Sequence, residues 1–128
     1  MKNGNARDVL PKTHALIAED DALIAIDMEQ TLLANFNLRV SVAYRLRDGL
    51  AMLESDPPHI AILDYDLDGA GIEPLAQALA NAGVPIVFVS GYRTHPLDGL
   101  ADGLKLEKPY EINDFVAMVG KALERRAS

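Results

Sequence analysis

From residue 14 onward, short apolar runs of strand length alternate with segments of helical periodicity. The runs are Ala15-Leu16-Ile17-Ala18, Leu38-Arg39-Val40-Ser41-Val42, Ile60-Ala61-Ile62-Leu63, Pro85 to Val89, and Leu104-Lys105-Leu106. The first, third and fourth are apolar throughout, which predicts central strands covered on both faces. The second and fifth alternate with polar residues, as edge strands do. Between the runs, Ile24, Met28 and Leu32 recur at i, i+4 and i+8, and Leu46, Leu50 and Leu53 at i, i+4 and i+7. Both patterns predict amphipathic helices. A third helix is expected from about Ile72 to Ala82, ended by Gly83, and another from about Ile112 to Arg125 with Ile112, Phe115, Val116, Val119 and Leu123 facing inward. Between Gly91 and Gly103 the chain carries Pro96 and Gly99 with little apolar periodicity, so the fourth helix is expected to be shortened or irregular.

Repeated βα units build a parallel sheet. Right-handed crossovers, together with the interior and edge strands just assigned, favour the order 2-1-3-4-5, a flavodoxin-like doubly wound α/β fold. The 128 residues suffice for one such domain over 14–128, preceded by a polar, flexible tail over 1–13.

Composition narrows the chemistry. The chain has no Cys, which removes disulfides, thiolate metal sites and cysteine nucleophiles and suits a reducing cytoplasm. No apolar run approaches the roughly 20 residues of a membrane span, so no membrane partner is expected. A net charge of −7 opposes approach to a phosphate backbone, so direct nucleic-acid binding is not expected either. His14, His59 and His95 lack ligand spacing and are assigned structural or exposed roles.

In a doubly wound sheet, sites form at the carboxyl ends of strands beside the point where strand order reverses. Those ends carry Glu19-Asp20-Asp21, Asp64-Tyr65-Asp66, Ser90-Gly91 and Glu107-Lys108-Pro109. At least three carboxylates, a hydroxyl and an ammonium would therefore converge on one crevice. Like charges a few ångströms apart in a partly desolvated pocket repel strongly, and a hard divalent cation such as Mg²⁺ relieves that repulsion. The same set suits phosphoryl transfer, in which a carboxylate attacks and the surrounding groups neutralise the charge on the transferred phosphoryl oxygens. Asp64 is the preferred nucleophile, because it ends the most central strand between the acidic pair and the lysine. Asp21 is favoured as N-cap of the first helix. Pro109 fits a tight turn, for which a cis bond to Lys108 is one option.

The segments Ile17-Ala18-Glu19-Asp20-Asp21, Ile62-Leu63-Asp64-Tyr65-Asp66-Leu67, Val89-Ser90-Gly91 and Glu107-Lys108-Pro109-Tyr110 resemble the four motifs of response-regulator receiver domains, in order and at similar spacing. The resemblance covers about residues 14 to 126. It implies a two-component phosphorelay role without turnover of a separate substrate, the chemistry being limited to phosphoryl transfer onto the protein itself and autodephosphorylation. By the resemblance, Asp64 is the phosphoacceptor and a Mg²⁺ ligand, Asp20 a direct ligand, Glu19 a ligand through water, and Asp66 a ligand through its carbonyl. Ser90 is then the switch hydroxyl and Lys108 the phosphoryl contact. The implied partners are a sensor histidine kinase or phosphotransfer protein and a downstream protein target. The output surface would combine the 91–103 segment, the fifth strand and the last helix, which could also form a homodimer. No effector segment follows Ser128, so the target is another protein or the chain is part of a longer one.

The sequence departs from the family pattern in three places. Ser90 to Lys108 is several residues shorter than usual. Lys105 stands where many receivers carry a switch aromatic, which leaves Tyr92 as the nearby substitute. Phe88-Val89-Ser90-Gly91-Tyr92 is similar to a mostly single-domain subgroup with a Phe-Ala-Thr-Gly-type motif. Two rival functions remain open. Asp64-Tyr65-Asp66 or Asp66-Leu67-Asp68-Gly69 also resembles the nucleophile motif of haloacid-dehalogenase-like phosphatases, although that motif normally lies early in a longer chain. A receiver fold serving as an interaction module without phosphorylation is the other.

Overall fold

The computed structural model describes residues 13–67, 71–91 and 104–127. Its elements run β1 (His14–Ala18), α1 (Ala22–Asn35), β2 (Arg39–Ala43), α2 (Leu46–Ser55), β3 (Ile60–Asp64), α3 (Glu73–Asn81), β4 (Ile86–Ser90), β5 (Leu104–Glu107) and α4 (Ile112–Ala127). The five strands form one parallel sheet in the order β2-β1-β3-β4-β5. This is the doubly wound order expected from the apolar runs. Every residue of β1, β3 and β4 is buried, whereas β2 and β5 mix buried and exposed positions.

Successive side chains of a strand point to opposite faces, and the core divides accordingly. Ala15, Ile17, Ile60, Ile62, Val87 and Val89 pack on one face against Met28 and Leu32 of α1 and Phe115 and Val119 of α4. Leu16, Ala18, Ala61, Leu63, Ile86 and Phe88 pack on the other against Leu75, Ala76 and Leu79 of α3. Leu46, Leu50 and Leu53 of α2 join this second cluster as partly buried residues. Gly49 brings α2 close to α3, since a Cβ there would lie 2.8 Å from Leu75 Cδ2. Gly83, with φ of 76°, follows α3 where the sequence ends that helix.

One side chain departs from the expected pattern. Ile112 does not face inward but is 58% exposed. It opens α4, where it borders a groove with Leu23, Ile24 and Tyr110 instead of covering the sheet. The inward stripe of α4 starts one turn later and runs Phe115, Val119 and Ala122, with Val116 and Leu123 partly buried beside it. The expectations for residues 1–12, for a fourth helix within 92–103, and for Asp68, Tyr92 and His95 lie outside the described residues.

Candidate functional site

The carboxyl ends of β1, β3, β4 and β5 each place one part of the expected cluster, either as the last residue of the strand or just after it. Glu19 follows β1 directly and is held by its own backbone, whose N–H donates to Ala43 O at 3.0 Å. Its side chain is 1% exposed, and Oε2 accepts the N–H of Asp21 at 3.0 Å. Asp20 is exposed. Asp21 turns away to cap α1, accepting from the N–H groups of Leu23 at 3.0 Å and Ile24 at 3.1 Å through Oδ1. This is the N-cap assigned to it from sequence.

Asp64 is the last residue of β3 and is 4% exposed. Its Oδ1 accepts the N–H of Asp66 at 3.1 Å, a turn that holds the carboxylate over the strand end. Asp66 itself is exposed. One carboxylate oxygen from each of Glu19, Asp20 and Asp64 lies within 4.8 Å of the other two. Nζ of Lys108 stands 3.5 Å from Asp64 Oδ1, while its N–H donates to Ser90 O at 2.7 Å. The Lys108–Pro109 bond is cis. Ser90 ends β4, 4% exposed, and pairs in register with Glu107 of β5. The structure thus gathers Glu19, Asp20, Asp64 and Lys108 and places Ser90 and Asp66 at the neighbouring strand ends.

The electrostatics follow from burial. Loss of water pushes the Glu19 carboxyl up to about 7; the Asp21 N–H opposes the shift and the nearby charge of Asp64 reinforces it. Among the described residues, Glu19 Oε1 is a buried oxygen with no hydrogen-bond partner. A buried, unsatisfied acceptor beside two further carboxylates is a donor set for a hard cation, since such ions take oxygen ligands and relieve exactly this kind of like-charge crowding. The carboxylates of Glu19, Asp20 and Asp64 therefore fit a hard cation such as Mg²⁺, which these three residues would hold.

One feature was not singled out from sequence. Leu23, Ile24, Asp27, Lys108, Pro109, Tyr110 and Ile112 line a groove of about 600 Å³ next to the acidic cluster. Leu23 is 80% exposed on its rim. Tyr110 is anchored there by stacking on Phe115, with ring centres 5.6 Å apart. The signal was present in Ala22-Leu23-Ile24-Ala25-Ile26, which is apolar on every side of the helix and so exceeds the single stripe that packs on the sheet. Lys105, at the position where an aromatic is usual in receivers, is exposed and pairs in register with Phe88.

No family model matches the sequence, and no curated protein matches it. Solved structures do match. The chain is similar to the signal receiver domain of a putative LuxO repressor protein from Vibrio parahaemolyticus, with 19% identity over 90% of this chain and 92% of that one and a TM-score of 0.78. It is similar to a CheY-like response regulator receiver domain protein from Methanospirillum hungatei JF-1, with 23% identity over 90% of this chain and 96% of that one and a TM-score of 0.79. The response regulator PhyR from Brucella abortus matches at 24% identity and a TM-score of 0.75, over 95% of this chain but only 53% of PhyR. With its five parallel strands in the order 2-1-3-4-5, the chain has the fold of response-regulator receiver domains.

Proposed function

We propose that this chain works as a phosphoryl-accepting receiver, with Asp64 as acceptor. The observation that carries the reading is the position of Asp64. Its carboxylate sits at the end of a central strand, 4% exposed, with Lys108 Nζ at 3.5 Å on one side and the Glu19 and Asp20 oxygens within 4.8 Å on the other.

Each residue then has a task. An Asp64 oxygen attacks the phosphorus of a phosphodonor in line, and the donor's bond to phosphorus breaks with its electron pair leaving on the donor group. Lys108 draws negative charge from the transferred phosphoryl oxygens and keeps the Asp64 carboxylate oriented before transfer. Ser90 supplies a hydroxyl at the end of β4 for the phosphorylated state. Glu19, Asp20 and Asp64, with the Asp66 carbonyl, would hold Mg²⁺, which when bound would supply positive charge to the phosphoryl oxygens and offset the crowded acids. New bonds from Ser90 and Lys108 to a phosphoryl group bias the β4–β5 side of the domain toward a second arrangement, and partner affinity changes with it.

The phosphodonor is a histidine kinase or phosphotransfer protein, and the groove beside Lys108 gives it apolar surface within reach of Asp64. The output is a change in affinity for a downstream protein surface. No helix among the described residues is long and apolar enough to cross a membrane.

The test is incubation with a small acyl phosphate, with and without Mg²⁺, followed by intact-mass and peptide mass spectrometry. One phosphate on Asp64, dependent on Mg²⁺ and absent from Asp64→Asn, supports the reading. An adduct on another residue, or equal labelling of that variant, overturns it. Sustained hydrolysis of phosphomonoesters would favour a phosphatase instead, and absence of any adduct an unphosphorylated interaction module.

A further inference from the structure

A second group of titratable side chains lies at the opposite end of the sheet from the acceptor site. His14 opens β1 and is fully buried, and His59 immediately precedes β3. The two residues are joined twice. The N–H of His59 donates to His14 O at 2.7 Å, and the N–H of His14 donates to Nδ1 of the His59 ring at 2.8 Å. Pro57 and Pro58 precede His59, and the His59 ring supplies the acceptor for the first N–H of β1.

The His14 ring extends the connection to β2 and to the end of α2. Its Nε2 lies 2.8 Å from Ser41 Oγ, and its Nδ1 lies 3.3 Å from Pro57 O and 3.7 Å from Asp56 Oδ1. Arg39 closes the outside of the group with two bonds to Asp56, at 2.6 and 3.1 Å.

We propose that the His14–His59 pair is an acid-sensitive clasp, in which protonation of His59 breaks the ring-held one of its two bonds and loosens the start of β1 at the end of the sheet opposite Asp64. The reason is the donor inventory of imidazole. A ring nitrogen accepts a hydrogen bond only while it carries no proton, and the imidazolium carries one on each nitrogen. Holding the His14 N–H therefore requires neutral His59 with its proton on Nε2. On protonation, the Nδ1 proton meets the His14 N–H head-on, and a buried main-chain donor loses its acceptor.

The charges around His59 oppose that protonation under neutral conditions. Burial pushes the imidazole below its ordinary value, and Arg126 of α4, His14 of β1 and Arg39 of β2 push in the same direction, against Asp56 at the end of α2. The sign of the linkage follows. A base whose folded value is depressed adds stability above its unfolded value, 6.5 for His59, and that stability is lost as pH falls through the folded value. The clasp is therefore closed at neutral pH and opens on acidification. The strands it joins are those whose far ends carry Glu19 and Asp64.

The experiment is an NMR titration of the full chain, reading the His59 ring and amide exchange of His14. The expected result is an Nε2–H tautomer of His59 at neutral pH and a ring titration below 6.5. As the ring protonates, the protection factor of the His14 amide should fall about tenfold. His59→Asn keeps a side-chain acceptor that does not titrate, and in it the His14 protection factor should stay level over the same range. Three results would overturn the clasp: an Nδ1–H tautomer at neutral pH, a His59 titration at or above the ordinary value, or loss of His14 protection in His59→Asn parallel to the wild type. The first two are read on the wild type and stand whether or not the variant folds.

Discussion

Nζ of Lys108 lies 3.5 Å from Oδ1 of Asp64, although β4 separates their strands in the sheet. The lysine reaches across the end of β4 while its own N–H is fixed to Ser90 O. Its ammonium stands beside a carboxylate that also faces those of Glu19 and Asp20. Lys108→Ala should slow labelling of Asp64 by a small acyl phosphate by tenfold or more, on the order of 1.4 kcal/mol or above in the barrier. Without Mg²⁺ the variant should also lose on the order of 1 kcal/mol of stability, because the pair is partly screened and the acids then repel with less relief. Labelling kinetics by mass spectrometry and urea unfolding check the two halves. An unchanged labelling rate would remove Lys108 from the reaction.

Much of this site was legible because strand ends in a parallel sheet are readable. All-apolar runs at Ala15–Ala18, Ile60–Leu63 and Pro85–Val89 mark interior strands, and whatever polar residue follows each one must emerge on the same edge. Glu19, Asp64 and Ser90 follow directly from that rule. What stayed hidden depends on surroundings and not on period. Ile112 continues the inward spacing of α4, yet one turn ahead of Phe115 it borders an open groove. His59 looked like an isolated imidazole because its partner is a main-chain N–H, which no side-chain spacing announces. The shift of Glu19 likewise arises from burial, which sequence order alone does not measure.

Crowding of three carboxylates makes metal-free stability and metal binding two sides of one effect. Neutralising Asp64 as Asp64→Asn should raise the stability of the metal-free protein, by on the order of 1 kcal/mol, since it removes one of the repelling charges. The wild type should gain about 2.7 kcal/mol at a Mg²⁺ concentration one hundred times its Kd. Asp64→Asn and Asp20→Asn should lose most of that gain. Thermal unfolding with and without Mg²⁺ reads both effects, and an equal Mg²⁺ response in all three proteins would show that the cation binds elsewhere.

Burial of Glu19 predicts a pH dependence with a definite sign. Its carboxyl is raised from 4.5 to about 7, so the folded metal-free protein holds a proton there that the unfolded chain releases. The stability contributed by this group is fully present below 4.5 and is lost as pH rises through about 7. Cation binding requires the charged form, so it displaces the proton, and Mg²⁺ should bind more tightly as pH rises through about 7. Calorimetric titrations in buffers of different ionisation enthalpy would detect the released proton. In Glu19→Gln the proton release and most of the slope should vanish, and their persistence would assign the linkage to another group.

Under the proposed reading, the groove beside Lys108 would separate recognition of a protein donor from chemistry at Asp64. Leu23 and Ile112 rim it at 80% and 58% exposure, and neither belongs to the acidic cluster. Replacing both with serine removes apolar docking surface without adding charge near the acids. Because both side chains are largely in water, folding stability should change by no more than about 0.5 kcal/mol. Each exposed leucine or isoleucine buried in a complex adds roughly 1.5–3 kcal/mol, so transfer from a kinase or phosphotransfer protein should weaken by tenfold or more. Labelling by a small acyl phosphate needs no such surface and should proceed at the wild-type rate. Parallel loss of both reactions would mean that the substitutions disturb Asp64 itself, and full retention of both would place the donor on another face of the domain.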